Sequence, residues 1–566
     1  MKKSGRIILI LAVTAIFLSS CTVNLKKNTD TVDDTYEEKY DVIDKGPVKG
    51  GSLRLFSTPV DTLNPLLTKN AYVQDFLGLI FDGLYALDST QKPVPVLAKA
   101  SAFSSDGLTL SVLLKDNIKW QDKMQFKAED VVFTINTILD PKNNSVYAKN
   151  VENIESVAKA GNDTVVIKLK QPYSFMLNKL TFPIIPAHRY VDEKLSDADS
   201  NVNLNPVGTG PYRFSSYDSK AGVKLNLNED WWNSQQTGVS GEAEATDTGL
   251  DKNKAQMKLP YISTIEIKIY NNVNSANAAF QSREIDVLPA EYGEYRKYLG
   301  RPDIILKRFA GNNYEFLSLN IKKGPLADKR VRNALNYFLD KKQLVDSAAS
   351  GIAIPAEIPV NPNSWVYQLA DFGKTYDIEK ARELMTQSGY TLDSKKNRYI
   401  KKGTKSELKL KLIVNDDNSM RNNVASAIAA QLGKEGITVE VAKIPWDNIK
   451  KTMSSGSYDM AFMGYRISSA PDLSFAYSTA EIQTGLNVSG YSNPEVDAYL
   501  QQILTQTDSG LQKNTYSNLL NTVLDERPYI GLFFLNDSMM YSKNIRGEIS
   551  PYVWNKYYDI SKWYIP

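Results

Sequence analysis

The chain of 566 residues contains one histidine and one cysteine, and this scarcity excludes most familiar catalytic chemistry. Zinc sites usually need several His or Cys ligands, and a Ser-His-Asp or Cys-His arrangement would have to use His188. His188 follows the Pro-rich connector 182–187, where we expect a surface or structural role. The sequence therefore predicts no metal site and no nucleophile with its general base.

Phosphate-binding signals are also missing. No GxxxxGK[ST] loop occurs, and the Gly-x-Gly within Val207–Tyr212 is followed by Pro211, which removes a backbone N–H. The 64 Asp and Glu residues leave a glycosidase-like carboxylate pair, or an enzyme acting on cell-wall fragments, open but unsupported. We predict a binding protein that is not an enzyme and carries no cofactor.

The one cysteine, Cys21, ends a segment typical of protein export. Three positive residues within the first six precede the apolar run 7–17, which is shorter than the ~20 residues that span a bilayer. Leu18-Ser19-Ser20-Cys21 resembles the lipobox of bacterial lipoproteins, in which the cysteine is lipidated and becomes the first mature residue. We predict a signal peptide over residues 1–20, a membrane anchor through Cys21, and a mature chain without disulfides.

Composition and charge argue against nucleic acid as a partner. The formal net charge is +3, and it falls to zero when the three leader charges are removed. No basic field then remains to attract nucleic acid or acidic lipid. The 32 tyrosines instead supply flat surfaces for cores or for ligand pockets.

Periodicity predicts a mixed α/β chain after a polar tether over residues 21–49. The predicted strands are 52–56, 108–114, 164–169, 409–414, 437–444 and 458–465. The predicted helices are 129–139, 328–344, 448–453 and a helix capped by Ser419 that ends at Gly433. The succession from 409 to 465 is a βαβ pattern with parallel strands. Residues 233–258 are predicted to be a surface insertion.

Five stretches in order carry a recognisable pattern. They are Gly50–Leu53 with Leu63–Pro65, Ile80–Leu84, Leu114–Trp120 continuing to Phe126–Val131, Pro206–Tyr212, and Leu319–Leu335. They resemble the opening strand and LNP turn, the FEGL element, the main signature, the PVGTGPY motif and a later segment of the family 5 extracellular solute-binding proteins. These are the oligopeptide-, dipeptide- and nickel-binding components of ABC importers.

The resemblance runs from about residue 50 to the C-terminus and implies a fold. We expect an α/β, two-lobed periplasmic-binding-protein-like fold of class II, cluster C type. Lobe I would comprise residues 50–84, 205–310 and 527–566, a small inserted domain residues 85–204, and lobe II residues 311–526. In such proteins an extended ligand is buried between the lobes by hinge closure.

The same resemblance nominates ligand-contact residues. Trp446 and Gly464-Tyr465 match a helix-starting Trp and a Gly-Trp near the ligand, and Tyr147 matches a cleft tyrosine. Asn320, within the last matching segment, is a further candidate. For the aromatic residues the competing reading is core packing.

The chain departs from the family where relatives hold the α-ammonium of a peptide with an Asp. Ser468 occupies that place, and the nearest acid is Asp472. Either Asp472 takes the role through a shifted loop, or the amine is held elsewhere, or the ligand lacks a free amine. Two carboxylate-binding arginines of some relatives are replaced here by Met453 and Phe462. Arg466 is the alternative carboxylate partner, against a surface or interlobe ion pair.

The resemblance implies an oligopeptide ligand, ABC permease subunits as partners, and a monomer. The expected location is the outer face of the cytoplasmic membrane of a Gram-positive cell, or a periplasm. The same fold serving a nickel chelate, a sugar or an opine remains an alternative, as does a peptide-sensing surface lipoprotein that signals through a partner.

Overall fold

Three larger sheets carry most of the regular structure in residues 46–191, 195, 200–234, 258–291 and 294–566, which the computed structural model describes. Cys21 and most of the predicted insertion lie outside these residues. In chain order the strands are β1 (Gly50–Ser57), β2 (Tyr85–Leu87), β3 (Pro93–Pro95), β4 (Ala98–Phe103), β5 (Thr109–Leu114), β6 (Ile154–Ala160), β7 (Thr164–Leu169), β8 (Tyr212–Asp218), β9 (Gly222–Leu227), β10 (Ile262–Ile269), β11 (Val287–Glu291), β12 (Ile304–Leu319), β13 (Ala353–Pro355), β14 (Tyr390–Asp393), β15 (Arg398–Lys401), β16 (Lys409–Asn415), β17 (Thr438–Ile444), β18 (Met460–Arg466) and β19 (Tyr529–Ser542).

The helices are mostly short, and several begin at an Asn or Asp cap. In chain order they are α1 (Ala71–Leu77), α2 (Ala128–Leu139), α3 (Ala148–Val151), α4 (Met176–Lys179), α5 (Asn201–Leu204), α6 (Val273–Gln281), α7 (Lys329–Phe338), α8 (Lys341–Gln343), α9 (Ile378–Gln387), α10 (Ser419–Lys434), α11 (Trp446–Ser454), α12 (Ser474–Tyr477), α13 (Glu481–Thr484), α14 (Pro494–Thr505) and α15 (Ser509–Glu526).

The first two sheets share one hydrophobic core. One sheet has the order β1-β10-β9-β8, with β1 and β10 parallel, and the other is the antiparallel sheet β4-β5-β7-β6. Leu53 and Leu55 of β1 pack in the same cluster as Leu110 and Val112 of β5, all four fully buried. The strands predicted over 52–56, 108–114 and 164–169 are confirmed.

The third sheet has the order β11-β19-β12-β18-β16-β17, with β13 paired to β19. It is buried on both faces, because successive residues of β16 enter different cores: Leu412 lies in one cluster and Ile413 in the other. β16 pairs in parallel with both β17 and β18, which confirms the predicted βαβ arrangement.

Two strands, β12 and β19, are long enough to reach both ends of this sheet. The first part of β12 pairs with the end of β19, and its last part pairs with β18 and with the start of β19. The pairing register of β12 and β19 shifts between Ala310 and Tyr314. The predicted boundary between the lobes falls at this irregularity, and the domain boundaries themselves stay a prediction.

Two helix predictions need correction. The helix predicted over 328–344 ends at Phe338, because Leu339 is extended and Asp340 caps a separate short helix by accepting a hydrogen bond from the Gln343 N–H. The cap of α10 is Asn418, whose side chain accepts from the Arg421 N–H at 2.9 Å, so Ser419 is the first helical residue instead. Periodicity located both helices, but a neighbouring polar residue decided where each begins or ends.

Candidate ligand-binding site

A cavity of about 890 Å³ is lined by parts of the chain that are far apart in sequence. Its walls come from α1 and the segment after it, from the α3 and α4 region, from residues 466–469 after β18, and from the C-terminal segment 552–562. Ligand pockets are typically about 300–1,000 Å³ and combine apolar surface with a few placed polar groups. The cavity is therefore large enough to bury a ligand of several residues.

The Gly-Thr-Gly motif lies behind one wall of this cavity and supports Asp82, which lines it. A Cβ atom at Gly208 would overlap the carbonyl oxygen of Ile80, so only glycine permits this approach. The Gly210 N–H donates to the same carbonyl at 2.8 Å. Between the glycines, the Thr209 hydroxyl donates to Asp82 at 2.9 Å. The motif thus holds a carboxylate at the cavity surface.

Asp82 is a desolvated acid on that wall. The Trp232 indole N–H donates to its Oδ2 at 3.1 Å, in addition to the bond from Thr209. Burial raises the pKa of Asp82, and the two hydrogen bonds and the nearby Lys115 only partly oppose that rise. A cationic group placed beside this carboxylate would offset the remaining cost of burying its negative charge.

The C-terminal segment forms a second wall; one ion pair ties it to α1, and a second ion pair lies within the segment. Lys556 pairs with Asp75 at 2.8 Å, and Lys562 pairs with Asp559 at 2.8 Å. The Tyr552 hydroxyl donates to the carbonyl of Leu87. These contacts hold a stretch without long helices or strands against the cavity.

Tyr147 lines the cavity next to α3. Its ring lies 5.9 Å from that of Phe182, and its backbone N–H donates to the Ser145 hydroxyl at 3.2 Å. Burial raises the pKa of Tyr147 to about 12, so its hydroxyl is neutral at physiological pH and can donate or accept a hydrogen bond.

Arg466 and Ser468 also line the cavity, at the end of β18. Arg466 pairs through its backbone with Asn313 of β12, and its side chain is exposed. Within the described residues its guanidinium forms no ion pair or hydrogen bond. The Ser468 hydroxyl donates to the Ala470 carbonyl at 3.0 Å, which leaves only its lone pairs for a ligand.

The four other candidates lie outside this lining. Tyr465 stacks on Phe316 at 4.6 Å and its hydroxyl donates to the Leu486 carbonyl. Asn320 donates to the Tyr458 carbonyl at 2.9 Å. Asp472 accepts from the Ser474 N–H at 2.9 Å at the start of α12. Trp446 is 47% exposed at the start of α11, beside Arg421.

Several lining residues were not singled out from the sequence. Asp82 stands within the family-like element Ile80–Leu84, which was the available signal, and its contact with the Gly-Thr-Gly motif is seen only in the structure. Lys179, Asp75 and Lys556 carried no signal, because they belong to no motif and meet only through the tertiary fold.

His188 lies at the surface, outside the cavity lining, with its Nε2 2.8 Å from Oδ2 of Asp122. Within the part of the chain that the structure describes, no group of three or more His, Cys, Asp or Glu side chains could hold a metal ion. In the same residues, no helix has both the length and the apolar character needed to cross a membrane.

Comparison with known proteins identifies the family. Residues 92–484 match the model of the bacterial extracellular solute-binding proteins, family 5. The oligopeptide-binding protein AppA of Bacillus subtilis is 25% identical over 565 residues, which cover 98% of this chain and 97% of AppA. The glutathione-binding protein GsiB of Pectobacterium atrosepticum is 26% identical, over 83% of this chain and 86% of GsiB.

A solved structure shows the same fold. NikZ from Campylobacter jejuni, in complex with Ni(L-His), aligns with a TM-score of 0.58 at 24% identity, over 91% of this chain and 99% of NikZ. The predicted α/β, two-lobed binding-protein fold is confirmed, and the relatives AppA and GsiB are binding proteins. The chain belongs to family 5 of the bacterial extracellular solute-binding proteins.

Proposed function

We propose that this chain is the lipid-anchored substrate-binding component of an ABC importer and that it captures oligopeptides in the cavity. The observation that carries the proposal is the meeting of Tyr147, Arg466 and the segment 552–562 around one space of about 890 Å³. That space offers an aromatic ring and charges of both signs, which suit a zwitterionic chain. AppA, whose sequence aligns along nearly the whole chain, is an oligopeptide-binding protein.

A peptide buried here needs partners for its backbone and for both of its ends. Unpaired N–H and C=O groups are costly once water is excluded. Arg466 would receive a carboxylate, by a bidentate pair that a guanidinium forms well. Asp82 would receive the α-ammonium, because its buried carboxylate lacks a full ionic partner and Ser468 offers no charge.

Closure of the lobes would bury the ligand and create the surface that a permease recognises. Only β12 and β19 extend through both ends of the seven-stranded sheet in the described residues, and their register shift at Ala310–Tyr314 is the natural place for bending. A ligand stabilises the closed state only through contacts that are absent from the open state. Arg466 on one side and Asp82 on the other would provide such contacts.

The anchor would be a lipid on Cys21, with residues 22–49 as the tether. The motivation is the apolar run that ends in Leu-Ser-Ser-Cys. Labelling of growing cells with a tagged fatty acid would detect the modification. The label should be lost in Cys21→Ser, and a Cys21→Ser protein that still carries it would contradict the anchor.

The direct test of the ligand is to identify what the protein carries. The protein is purified under mild conditions and denatured, and the released small molecules are analysed by mass spectrometry. A set of short peptides supports the proposal and gives the preferred length. A single nickel chelate, sugar or opine would replace the peptide with that solute. Uptake of labelled peptide by cells lacking the gene then separates import from signalling, because a purely sensory protein leaves uptake unchanged.

A further inference from the structure

We propose that Lys179 and Arg466 together form a two-cation site for a carboxylate of the ligand, where α4 meets the loop after β18. The inference deepens the proposed function and rests on it for the peptide nature of the ligand. Lys179 lies at the end of α4, in the region predicted to be the small domain, and Arg466 ends β18 of the seven-stranded sheet. Both line the same cavity.

The charges that line the cavity are unequally engaged. Four acids and four bases contribute to its wall. Asp75 and Asp559 are paired with Lys556 and Lys562 at 2.8 Å.

The other two acids are also engaged. Asp82 accepts hydrogen bonds from Thr209 and Trp232, and Asp537 interacts with another part of the chain. In contrast, neither the Lys179 ammonium nor the Arg466 guanidinium forms an ion pair or a side-chain hydrogen bond with any described residue. In the described residues, Lys179 and Arg466 are therefore the cations of the wall that a ligand anion could pair with, whereas Asp82, which has hydrogen bonds but no ion pair, is the site for a ligand cation.

A hydrogen bond holds the two segments against each other. The Asn178 amide, next to Lys179, donates to the Ser469 carbonyl at 3.3 Å. The Asn150 amide donates to the Lys179 carbonyl at 2.9 Å, which fixes the end of α4. Ser469 lies three residues beyond Arg466, so the backbone segments that carry the two cations are in contact.

A carboxylate is the ligand group that best suits such a site. The ammonium of the half-buried Lys179 and the guanidinium of Arg466 line the same cavity, and both lose hydration when a ligand fills it. An anion placed between them offsets both losses, and a carboxylate also matches the guanidinium fork. The carboxylate can come from the C-terminus of a peptide or from an acidic side chain.

The test measures how much affinity depends on that carboxylate. The full-length protein in detergent is titrated calorimetrically with penta-alanine and with its C-terminal amide. A second pair is Ala-Ala-Glu-Ala-Ala amide and its Gln counterpart, and glutarate is the non-peptide probe. We expect at least one carboxylate probe to bind roughly 10- to 100-fold more tightly than its neutral partner, as a charge-assisted hydrogen bond predicts. The first pair reports the C-terminus and the second reports a side chain.

Variants assign the effect to the two residues. Lys179→Met and Arg466→Met should each remove about 10-fold or more of that preference. Lys168→Met and Lys443→Met remove exposed charges from the same two regions outside the cavity lining, and should leave it unchanged.

Two results overturn the site: no carboxylate probe is preferred 10-fold, or the preference survives in both Met variants of the pair. Peptides that bind regardless of their carboxylates overturn the site and leave the proposed function intact. If glutarate binds and needs both cations but peptides do not bind, the site is supported and the proposed peptide ligand is contradicted.

Discussion

The interior around the seven-stranded sheet pairs its buried cations within the chain, whereas the cavity wall leaves two of its four cations unpaired in the described residues. In the interior, Arg421 forms a bidentate pair with Glu315 at 2.8 and 2.9 Å, and the buried Lys341 and Arg527 share Glu357. In the cavity wall, the Arg466 side chain has no partner among the described residues. Charges that are paired within the chain belong to the fold, whereas an unpaired charge in the cavity wall is available to a ligand.

The largest expected effect comes from creating charge in the interior. Burial raises the pKa of Tyr314, Tyr477, Tyr516 and Tyr529. The folded chain keeps these protons above pH 10, where the unfolded chain releases them. Their contribution is therefore present below pH 10 and is lost as the pH rises further, at about 1.4 kcal/mol per tyrosine and pH unit. Urea unfolding at pH 8 to 11 measures it, and equal stability at pH 9 and 11 would contradict it.

The next largest effect comes from removing the carboxylate of the buried cluster that Glu357 forms with Lys341 and Arg527. Glu357→Gln leaves Lys341 and Arg527 buried without their carboxylate, which should lower the free energy of unfolding by about 3–5 kcal/mol. Burial already lowers the pKa of Lys341 to about 8, so this amine will also lose its proton more readily in the variant. Urea denaturation is the measurement, with the exposed Glu383→Gln as a control expected within about 0.5 kcal/mol. A loss below about 1 kcal/mol in Glu357→Gln would show that the cluster is not desolvated.

The two arginines sharpen the contrast. Arg421→Met strands the buried Glu315 and should cost about 3 kcal/mol or more of stability. Arg466→Met should change stability by no more than about 0.5 kcal/mol, yet weaken ligand binding roughly 10- to 100-fold. Thermal unfolding and titration of the same two proteins give both quantities. If Arg466→Met destabilised the fold as much as Arg421→Met, the distinction between the two regions would fail.

The smallest expected effect concerns Asp82. Asp82→Asn keeps an acceptor for Thr209 but removes the charge, so peptides with a free amine should bind roughly 10-fold more weakly. An N-acetylated peptide is the matched ligand, and its affinity should not change. Equal losses for both peptides would mean that Asp82 supports the wall without meeting the amine.

The fold was largely predictable from the sequence because its signals are local. Alternation located β5, β7 and β16, and the ordered motifs identified the family fold. The helix around 328–344 was predicted too long, since the cap at Asp340 competes with an apolar pattern that continues past it. Of the contact residues that the family resemblance nominated, Tyr147, Arg466 and Ser468 line the cavity, and their contact with a ligand stays a prediction.

The remaining lining residues depend on tertiary contact. Nothing in the sequence distinguishes Lys179 and Lys556 from other lysines, and only the tertiary fold brings their segments to the same cavity. Tyr465 shows the converse: its motif position suggested ligand contact, and in the structure it stacks on Phe316 and bonds to the backbone of Leu486.

The central claim is that the cavity of about 890 Å³ holds the ligand. A crystal structure of the protein in complex with the ligand that copurifies with it tests this most directly. We predict ligand density in contact with Tyr147 and Asp82, with a carboxylate between Lys179 and Arg466. A ligand bound elsewhere, for example beside Trp446 and away from these residues, would contradict the account.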